Sequence, residues 1–373
     1  MAKKTNFEIN GKQYYRVTRT IGKKADGTPV RKAFYGSGIN EANKKADEYI
    51  NDIKNGLITN FECISINDAM YTWLFDFLLN SASIKPSTFQ RYEGIYRKYI
   101  KDSTIAGLRV YTFTSLQLQK FYNNLSKNFS YSQINTLNTI LKIFFNWCID
   151  NGYILKNPCN NVNIKKELSI DVSEKKEVEI LTEKEIKKIK NYIKNTNFEL
   201  LFLLDLGTGL RLGELLALDW KNINLKNKTL NIEKSVKEVY VYDSPNSKHV
   251  ETIFQKPKTK TSIRTVPIPN SLVELLESQH SKEGLLFKDE HENPIRGRII
   301  YSRWNSILNK CSIPHKKFHA IRHTYASMLL KKGVDIETVA ELMGHSTITI
   351  TQIYLHSTSN QKQKAVNKLN SLF

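Results

Sequence analysis

The chain has 373 residues, of which 40% are hydrophobic, and this is enough for two or three domains with cores of their own. Its formal net charge of +20 predicts a polyanionic partner, and nucleic acid is the first candidate. A membrane surface is the competing partner, but the longest apolar runs, such as residues 140–149, are too short and too polar to cross a bilayer. The first residues lack the apolar segment of a signal peptide, so an intracellular location is expected.

The cysteines lie far apart in the sequence and form no CxxC or CxxH pair. This spacing argues against a zinc ribbon and against a disulfide framework. We therefore expect buried thiols at Cys63, Cys148, Cys159 and Cys311.

Residues 1–60 predict a small basic module. Alternating segments at 6–10, 14–22 and 31–38 are typical of three short strands, and residues 40–56 have helical spacing that closes at Gly56. Residues 1–35 carry nine Lys or Arg against two acidic residues.

Residues 61–160 have the periodicity of an all-helical domain, with helical stretches at 66–80, 86–100, 114–125 and 130–152. Ser87 with Gln90, and Thr114 with Gln117, suit capping boxes. The polar residues 161–178 are typical of a linker. A third domain, residues 179–373, begins at a further capping box of Thr182 and Glu185.

Three separate pieces of the third domain carry residues suited to chemistry. In the first, TGLRLGELLALDW, Gly207 and Gly209 are expected to end a helix. Arg211 then starts the next helix, and Glu214 lies on the same side of it. Taken alone, this pair is equally typical of an ordinary helical ion pair.

The second piece, HAIRHTYASMLLKKG, predicts a helix whose start presents His319 beside Arg322, an arrangement that suits an anion. His323 is expected to pack or to position another residue. In the third piece, Gly344 and His345 follow a helix, and a second short helix carries Tyr354. Taken alone, Tyr354 could be an interfacial aromatic.

The combination is more specific than its parts. It contains two arginines, two histidines, a lysine and a tyrosine, without a carboxylate pair or a cluster of metal ligands. This is the set of groups needed for phosphoryl transfer to a protein nucleophile. The candidate catalytic residues are Arg211, Lys258, His319, Arg322, His345 and Tyr354.

These residues resemble, in order and at the usual spacings, the Arg, HxxR, His and Tyr boxes of the tyrosine recombinases, or phage-type integrases. The resemblance implies a multidomain fold, mainly α with small β elements. It would comprise an N-terminal three-stranded sheet plus helix that binds arm-type DNA, a helical core-binding domain and a mixed α/β catalytic domain with a C-terminal tail helix. Residues 1–60, 61–160 and 179–373 would form these three parts, joined by the linker at 161–178.

The family also uses a lysine on a β-hairpin between its first two boxes, and the segment QKPKTKTSIRTVPIP is the matching stretch. Lys258 suits this position best, and Lys260 is the alternative. Either lysine could instead contact only backbone phosphate.

The side chains suggest roles. Arg211 and Arg322 would hold the phosphate oxygens, and His345 would donate a further hydrogen bond. Tyr354 would attack, His319 would accept its proton, and Lys258 would protonate the leaving 5′ oxygen. The product would be a 3′-phosphotyrosine, formed without a metal, ATP or another cofactor.

The resemblance implies double-stranded DNA as the partner, with core-type and arm-type sites, and dimers and tetramers on that DNA. The tail at 359–373 would dock on a neighbouring protomer, with packing on its own protomer as the alternative. An excisionase-type helper is a further candidate partner. The location would be the bacterial cytoplasm, on the nucleoid. The candidate DNA-binding residues are Arg16, Arg19, Arg31, Arg91, Arg97, Lys98 and Lys260.

Three other functions remain open from the sequence. A type IB topoisomerase shares the tyrosine chemistry. A metal-dependent nuclease or transposase could use Asp205, Glu214 and Asp219. A DNA-binding regulator could have the fold without the activity.

Overall fold

The computed structural model describes residues 6–9, 11–23, 29–54, 64–81, 84–165, 178–256, 260–279 and 283–354. The chain divides into two compact units. The first extends to Glu174 and includes the short stretch Tyr242–Lys248, and the second holds the rest. The expected multidomain fold, mainly helical with small antiparallel sheets, is confirmed. The division of the first unit into an arm-type and a core-type module stays a prediction, and residues 166–177 of the expected linker lie outside the described residues.

The N-terminal strands and helix form where the sequence predicts them. β1 (Phe7–Ile9), β2 (Lys12–Lys23) and β3 (Pro29–Gly36) make an antiparallel sheet in the order β1-β2-β3, and α1 (Ile39–Lys54) packs on it. Their small shared core contains Phe34, Ala46 and Tyr49.

The two faces of this sheet separate the three candidate arginines. Arg16 pairs across the strands with Tyr35, and Thr20 pairs with Arg31, so Arg16 and Arg31 lie on one face because side chains alternate along a strand. Arg19 lies on the opposite face, where its Nη2 donates to the Oδ1 of Asn43 in α1 at 2.8 Å. The sequence analysis named all three as candidate DNA contacts without assigning them to a face of the sheet. The structure leaves Arg16 and Arg31 on the face away from α1.

Over its described residues, the helical part of the first unit contains four α-helices. Two of them continue into π-helical turns, at Thr72–Leu78 and Tyr96–Ile100. The α-helices are α2 (Ile66–Tyr71), α3 (Pro86–Ile95), α4 (Ser115–Leu125) and α5 (Tyr131–Asp150).

Capping boxes begin two of these helices, and a third helix begins in a way that the sequence analysis did not predict. The capping box of Thr114 and Gln117 is confirmed, and Ser130 forms a matching one with Gln133. The capping box expected at Ser87 is wrong. Pro86 occupies the first position of α3, because its fixed backbone angle and missing N–H suit a helix start, and Lys85 precedes it without a side-chain cap.

The core of this unit is rich in aromatic rings, and Tyr242 of the stretch Tyr242–Lys248 belongs to it. The Tyr242 hydroxyl donates to the Oε2 of Glu93 at 2.8 Å, and the Oε1 of Glu93 accepts from the Nε of Arg97 at 3.0 Å. Lys98 lies over the rings of Tyr99 and Phe129. Arg91 is exposed on α3, which leaves its guanidinium accessible to a ligand.

Two of the four cysteines fit the expectation of buried thiols. Cys148 and Cys159 are buried, Cys311 is partly exposed, and Cys63 lies outside the described residues. Within the described part of the chain, no helix is long and apolar enough to cross a membrane.

The second unit builds a large core from helices and a small sheet. Its helices are α6 (Glu183–Ile193), α7 (Glu199–Thr208), α8 (Leu212–Leu215), α9 (Asn270–Glu277), α10 (Gly297–Lys310), α11 (Ala320–Lys331), α12 (Ile336–Met343) and α13 (Ile348–Gln352). Its strands are β4 (Ile223–Asn224), β5 (Thr229–Ile232), β6 (Ser235–Ser244), β7 (Ser247–Gln255) and β8 (Arg264–Pro267), except that the parts of β6 and β7 within Tyr242–Lys248 belong to the first unit. The capping box of Thr182 and Glu185 at the start of α6 is confirmed.

The strand pairing corrects one expectation. β8 pairs with β5 in the sheet β4-β5-β8, whereas β7 pairs with β6. The strands on either side of the lysine-rich segment, β7 and β8, therefore do not pair with each other, and residues 257–259 of that segment lie outside the described residues.

The end of α7 positions the first box. Gly207 lies inside α7 and does not end it, and a side chain there would meet Leu272. Gly209 ends the helix with a left-handed backbone (φ +62°), and a Cβ at this position would collide with the Tyr325 ring. The chain then turns directly into Arg211 and α8.

Candidate active site

Arg211 lies at the N-terminus of α8, and its side chain is 39% exposed. Its Nη1 donates to the Oε1 of Glu214 at 2.8 Å, and its Nη2 donates to the Gly344 carbonyl at 3.1 Å. The buried Glu214 also accepts from the Nη2 of Arg264 at 2.9 Å. Burial alone would raise the pKa of Glu214, but the hydrogen bonds and charges of Arg264 and Arg211 lower it overall. Glu214 therefore stays ionised and holds both arginines in place.

Arg264 is a site residue that the sequence analysis missed. It is the first residue of β8, only 7% of its side chain is exposed, and its Nε donates to the Leu342 carbonyl at 2.8 Å. The sequence signal was an arginine within an alternating apolar strand, a place where an unpaired charge is costly. Arg264 thus ties the sheet to the end of α12.

Arg322 is almost fully enclosed, with 1% of its surface exposed. Its guanidinium donates to the carbonyls of Gly209 and Met343. Burial and the neighbouring Arg211 lower the pKa of Arg322 to about 10, so it remains a cation at neutral pH. A phosphate from solvent reaches Arg211 more readily than Arg322, although the sequence analysis gave them equal roles.

His345 follows α12 after a left-handed glycine, Gly344, with φ +62°. Its Nδ1 lies 2.8 Å from the Oγ1 of the buried Thr351. Burial, Arg322 and Arg211 lower the pKa of His345 to about 4, so the ring is neutral at physiological pH. A neutral ring that accepts the Thr351 hydroxyl at Nδ1 carries its proton on Nε2, where it can donate to an anion.

Tyr354 lies just beyond α13, which ends at Gln352, and not within that helix as expected. The residue is 4% exposed and belongs to a small cluster with Tyr325 and Val339. Its hydroxyl lies 2.6 Å from the Nδ1 of His323. Burial raises the pKa of Tyr354, and the charges of Arg322 and Arg211 partly offset that effect. The phenol is therefore protonated at neutral pH and is held by an imidazole.

His319 immediately precedes α11, and its ring meets the His323 ring edge to face at 4.5 Å between centroids. Burial, followed by the charges of His323 and Arg322, lowers the pKa of His319 to about 4. No hydrogen bond joins His319 to Tyr354 among the described residues. The imidazole in contact with the nucleophile candidate is thus His323, which the sequence analysis treated as a packing or positioning residue.

A cavity of about 320 Å³ opens beside these groups, and Arg211, Glu214, His345 and Ser346 are among the residues that line it. Arg211 supplies a fixed guanidinium and His345 a neutral donor. This combination suits a phosphodiester, whose two nonbridging oxygens share a negative charge. Arg211 and His345 line this cavity, and His319, Arg322 and Tyr354 lie close enough to interact with them electrostatically, although the five residues are spread over more than 140 positions of the sequence.

Neither of the two candidate lysines has a described side chain. Lys258 lies outside the described residues, and of Lys260 only the backbone is described, in a short 3-10 turn at Lys260–Ser262. Lys256 and Ser262, on either side of them, line the same cavity. The choice between Lys258 and Lys260 stays a prediction.

The three carboxylates that a metal-dependent nuclease would use do not form one site, and each has different surroundings. Glu214 is held by two arginines, and Asp219 caps the turn Trp220–Asn222. Asp205 is buried inside α7 with its Oδ1 unpaired, and burial raises its pKa well above the usual range. Within the described ranges, no three His, Cys, Asp or Glu residues are grouped as metal ligands would be.

Comparison with known proteins identifies the family of the chain. Residues 179–361 match the model of the phage integrase family. A protein named tyrosine recombinase XerC-like from Caldanaerobacter subterraneus subsp. tengcongensis is 43% identical over 392 residues, covering all of both chains. The ICEBs1 integrase of Bacillus subtilis is 26% identical and covers 77% of this chain and 78% of its own.

Solved structures share the fold. The Tn1549 transposon integrase in complex with transposon right end DNA aligns with a TM-score of 0.64 at 19% identity, over 82% of this chain and all of that one. A lambda integrase dimer bound to a core site aligns with a TM-score of 0.52 at 16% identity, over 78% of this chain and 95% of that one. With a full-length relative at 43% identity, the chain belongs to the tyrosine recombinases and is a site-specific DNA recombinase.

Proposed function

We propose that this recombinase cleaves and rejoins DNA strands with Tyr354 as the nucleophile, and that it integrates and excises a mobile element. The observation that carries the proposal is the Tyr354 hydroxyl, which lies 2.6 Å from an imidazole nitrogen and close enough to Arg322 and Arg211 for their charges to favour its ionisation. When tyrosine attacks, the broken phosphodiester is replaced by another phosphodiester and the bond energy is conserved. Attack by water would hydrolyse the bond, and that energy would be lost. Strand exchange then needs no external energy source.

The phosphate would enter the cavity beside Arg211 and His345. Arg211 would bind the nonbridging oxygens, and the Nε2 of His345 would donate as negative charge develops. Arg322, held by two carbonyls, would add its charge from inside the protein and fix the geometry between α7 and α12. His319 would complete the pocket at the start of α11.

The reaction would proceed by in-line attack. The bond from Tyr354 Oη to phosphorus forms while the bond from phosphorus to the 5′ oxygen breaks. Lys258, with Lys260 as the alternative, would protonate the 5′ oxygen. A 5′ hydroxyl from a second strand reverses the step and completes the exchange, with neither metal nor ATP among the reactants.

The open face of the N-terminal sheet is the proposed arm-type site. It carries Arg16 and Arg31, and the guanidinium of Arg16 lies 4.9 Å from the centre of the Phe7 ring. Arg91 on α3 is the proposed contact of the helical part with core-type DNA. The Tn1549 and lambda integrases, which share the fold, are bound to DNA in their structures, and this supports a duplex partner.

The lambda integrase of the same fold is a dimer on its core site, which supports assembly of this chain on DNA as dimers and then tetramers. Residues 359–373, proposed to dock on a neighbouring protomer, lie outside the described residues. An excisionase-type helper would set the direction of recombination. The cytoplasmic nucleoid is the proposed location.

The decisive experiment uses a nicked suicide duplex made from the ends of the element that carries the gene. Wild-type protein should form a covalent complex, and mass spectrometry of its peptides should locate the nucleotide on Tyr354. Tyr354→Phe should form none, while its affinity for the duplex changes less than about threefold, because the phenyl ring still fills the same pocket.

An adduct on another residue would refute the assignment of the nucleophile. Relaxation of supercoiled plasmid without joining of two sites would instead indicate a type IB topoisomerase.

A further inference from the structure

Tyr354 contacts an imidazole that lies outside the Arg, HxxR, His and Tyr boxes. His323 follows Arg322 on α11, and its Nδ1 lies 2.6 Å from the Tyr354 hydroxyl, with 5.3 Å between the ring centroids. At this distance the two groups share a hydrogen bond. A general base must lie within hydrogen-bond reach of the proton that it takes, and His323 meets this condition.

The geometry separates His323 from His319. Both rings project from the start of α11, but His319 presents its ring to His323 at 4.5 Å and not to the tyrosine. His345 stacks on Tyr354 at 6.5 Å between centroids and uses its Nδ1 on Thr351. Among these three imidazoles, His323 alone has a nitrogen at hydrogen-bond distance from the nucleophile.

We propose that His323 is the catalytic residue that accepts the proton of Tyr354 during cleavage and returns it during rejoining. The proposal rests on the proposed function, since it needs Tyr354 as the nucleophile. As the Oη to phosphorus bond forms, the phenol proton moves to Nδ1 of a His323 whose own proton is on Nε2. The resulting imidazolium gives the proton back when the 5′ hydroxyl of the incoming strand displaces the tyrosine.

The charged surroundings suit a base that works in both directions. Arg322 and His319 face His323 from its own helix, and His345 and Tyr354 face it from the end of the described chain. Glu179 approaches from the segment before α6, where its Oε2 accepts the backbone N–H of Lys317 at 3.3 Å. Its negative charge stabilises the imidazolium that cleavage would create.

These groups also set the expected pH dependence. Burial and Arg322 lower the pKa of His323 below its usual 6.5, and Glu179 opposes that change. His323 is therefore neutral, and able to accept a proton, at neutral pH. Cleavage should slow as pH falls through the His323 pKa, because the protonated ring cannot accept a second proton at Nδ1.

The test measures single-turnover formation of the covalent complex between pH 4.5 and 9.5. The substrate is the suicide duplex with a bridging 5′-phosphorothiolate at the cleaved bond, whose leaving group needs no general acid. His323→Asn keeps a polar atom near Nδ1 but is not a base, and His319→Gln is the matched control on the same helix.

His323→Asn should slow the reaction about 100-fold or more at pH 7, a typical effect of removing a general base. Its acid limb should disappear, and its rate should rise about tenfold per pH unit as hydroxide replaces the base. His319→Gln should keep the acid limb. Melting temperature and DNA affinity identify a variant that fails to fold, and His323→Gln replaces His323→Asn in that case.

A wild-type rate and pH profile in His323→Asn, with Tyr354→Phe inactive, would overturn this inference and leave the proposed function intact. Loss of the acid limb in His319→Gln alone would assign the proton to His319. Covalent product from Tyr354→Phe would refute the proposed function itself.

Discussion

At the scale of single residues, Glu214 determines how the cationic pocket is arranged. Its two oxygens accept from different arginines, Arg211 from α8 and Arg264 from β8, and only 3% of its side chain is exposed. A buried charge is tolerated only when it is paired and hydrogen-bonded. Removing either arginine should therefore change the position of the other, because both are held by the same carboxylate.

Arg264→Gln should lower the free energy of unfolding by about 3 kcal/mol, because it leaves Glu214 with one cation and the Leu342 carbonyl without its donor. Arg264→Lys should lose less, since it keeps the charge. Urea unfolding measures the change, and Arg298→Gln on the exposed side of α10 is the control. Equal stability of Arg264→Gln and Arg298→Gln would contradict this account.

The sequence predicted the residues that have recognisable spacing and missed those defined by contacts across the chain. Arg211, His319, Arg322, His345 and Tyr354 stand in short boxes. The roles of Arg264 and His323 could not be predicted from such boxes, because they depend on contacts with residues far away in the sequence. The partners of Arg264 are 50 and 78 residues away, and the contact of His323 spans 31 residues. No local periodicity encodes such pairs.

At the scale of elements, the turn after α12 places His345. Gly344 adopts a left-handed backbone, its carbonyl accepts from Arg211, and a Cβ on it would lie 2.9 Å from the Nη1 of Arg264. Gly333 after α11 also has positive φ, +87°, but a Cβ there would meet nothing within 4 Å. The two glycines share the backbone conformation and differ in their neighbours.

Gly344→Ala and Gly333→Ala should each lower the free energy of unfolding by about 1 kcal/mol through backbone strain. Gly344→Ala should also slow covalent-complex formation at least about tenfold, because the methyl group displaces Arg264 and the start of the His345 segment. Gly333→Ala should cleave at the wild-type rate. Identical cleavage by the two variants would exclude this role for the turn.

Element starts were predictable where side chains cap the helix. Thr114, Thr182 and their partners form the expected boxes because Ser and Thr oxygens accept early N–H groups. The start at Ser87 was missed because the proline before it fits the first turn better. The sequence predicted that Gly207 ends α7, but the helix continues through it. Gly207 is needed there because it packs closely against α9, and this contact cannot be read from the local sequence.

At the scale of the whole molecule, the excess of positive charge predicts DNA binding that weakens steeply with salt. Charge alone does not say where the duplex binds. The N-terminal sheet separates its arginines by face, a result that follows from strand register and could not be read from composition. Arg16 and Arg31 can reach a duplex, whereas Arg19 is bound to α1.

The double variant Arg16→Gln, Arg31→Gln should weaken binding to the arm-type end of the element. It should also reduce the slope of log K against log salt by about two, roughly 0.9 per lost phosphate contact. Arg19→Gln is the control from the same strand and should leave the slope unchanged. Titrations over a range of salt concentrations provide the measurement, and a similar loss in both proteins would refute the assignment of faces.

The two carbonyl contacts of Arg322 bear on protein synthesis. Its guanidinium joins Gly209 to Met343, so the pocket closes only after the chain has emerged from the ribosome well past residue 343. Contacts between residues so far apart form late, once most of the chain is available. A partly translated polypeptide whose residue 343 has not yet emerged from the ribosome lacks these contacts and would be unable to cleave DNA.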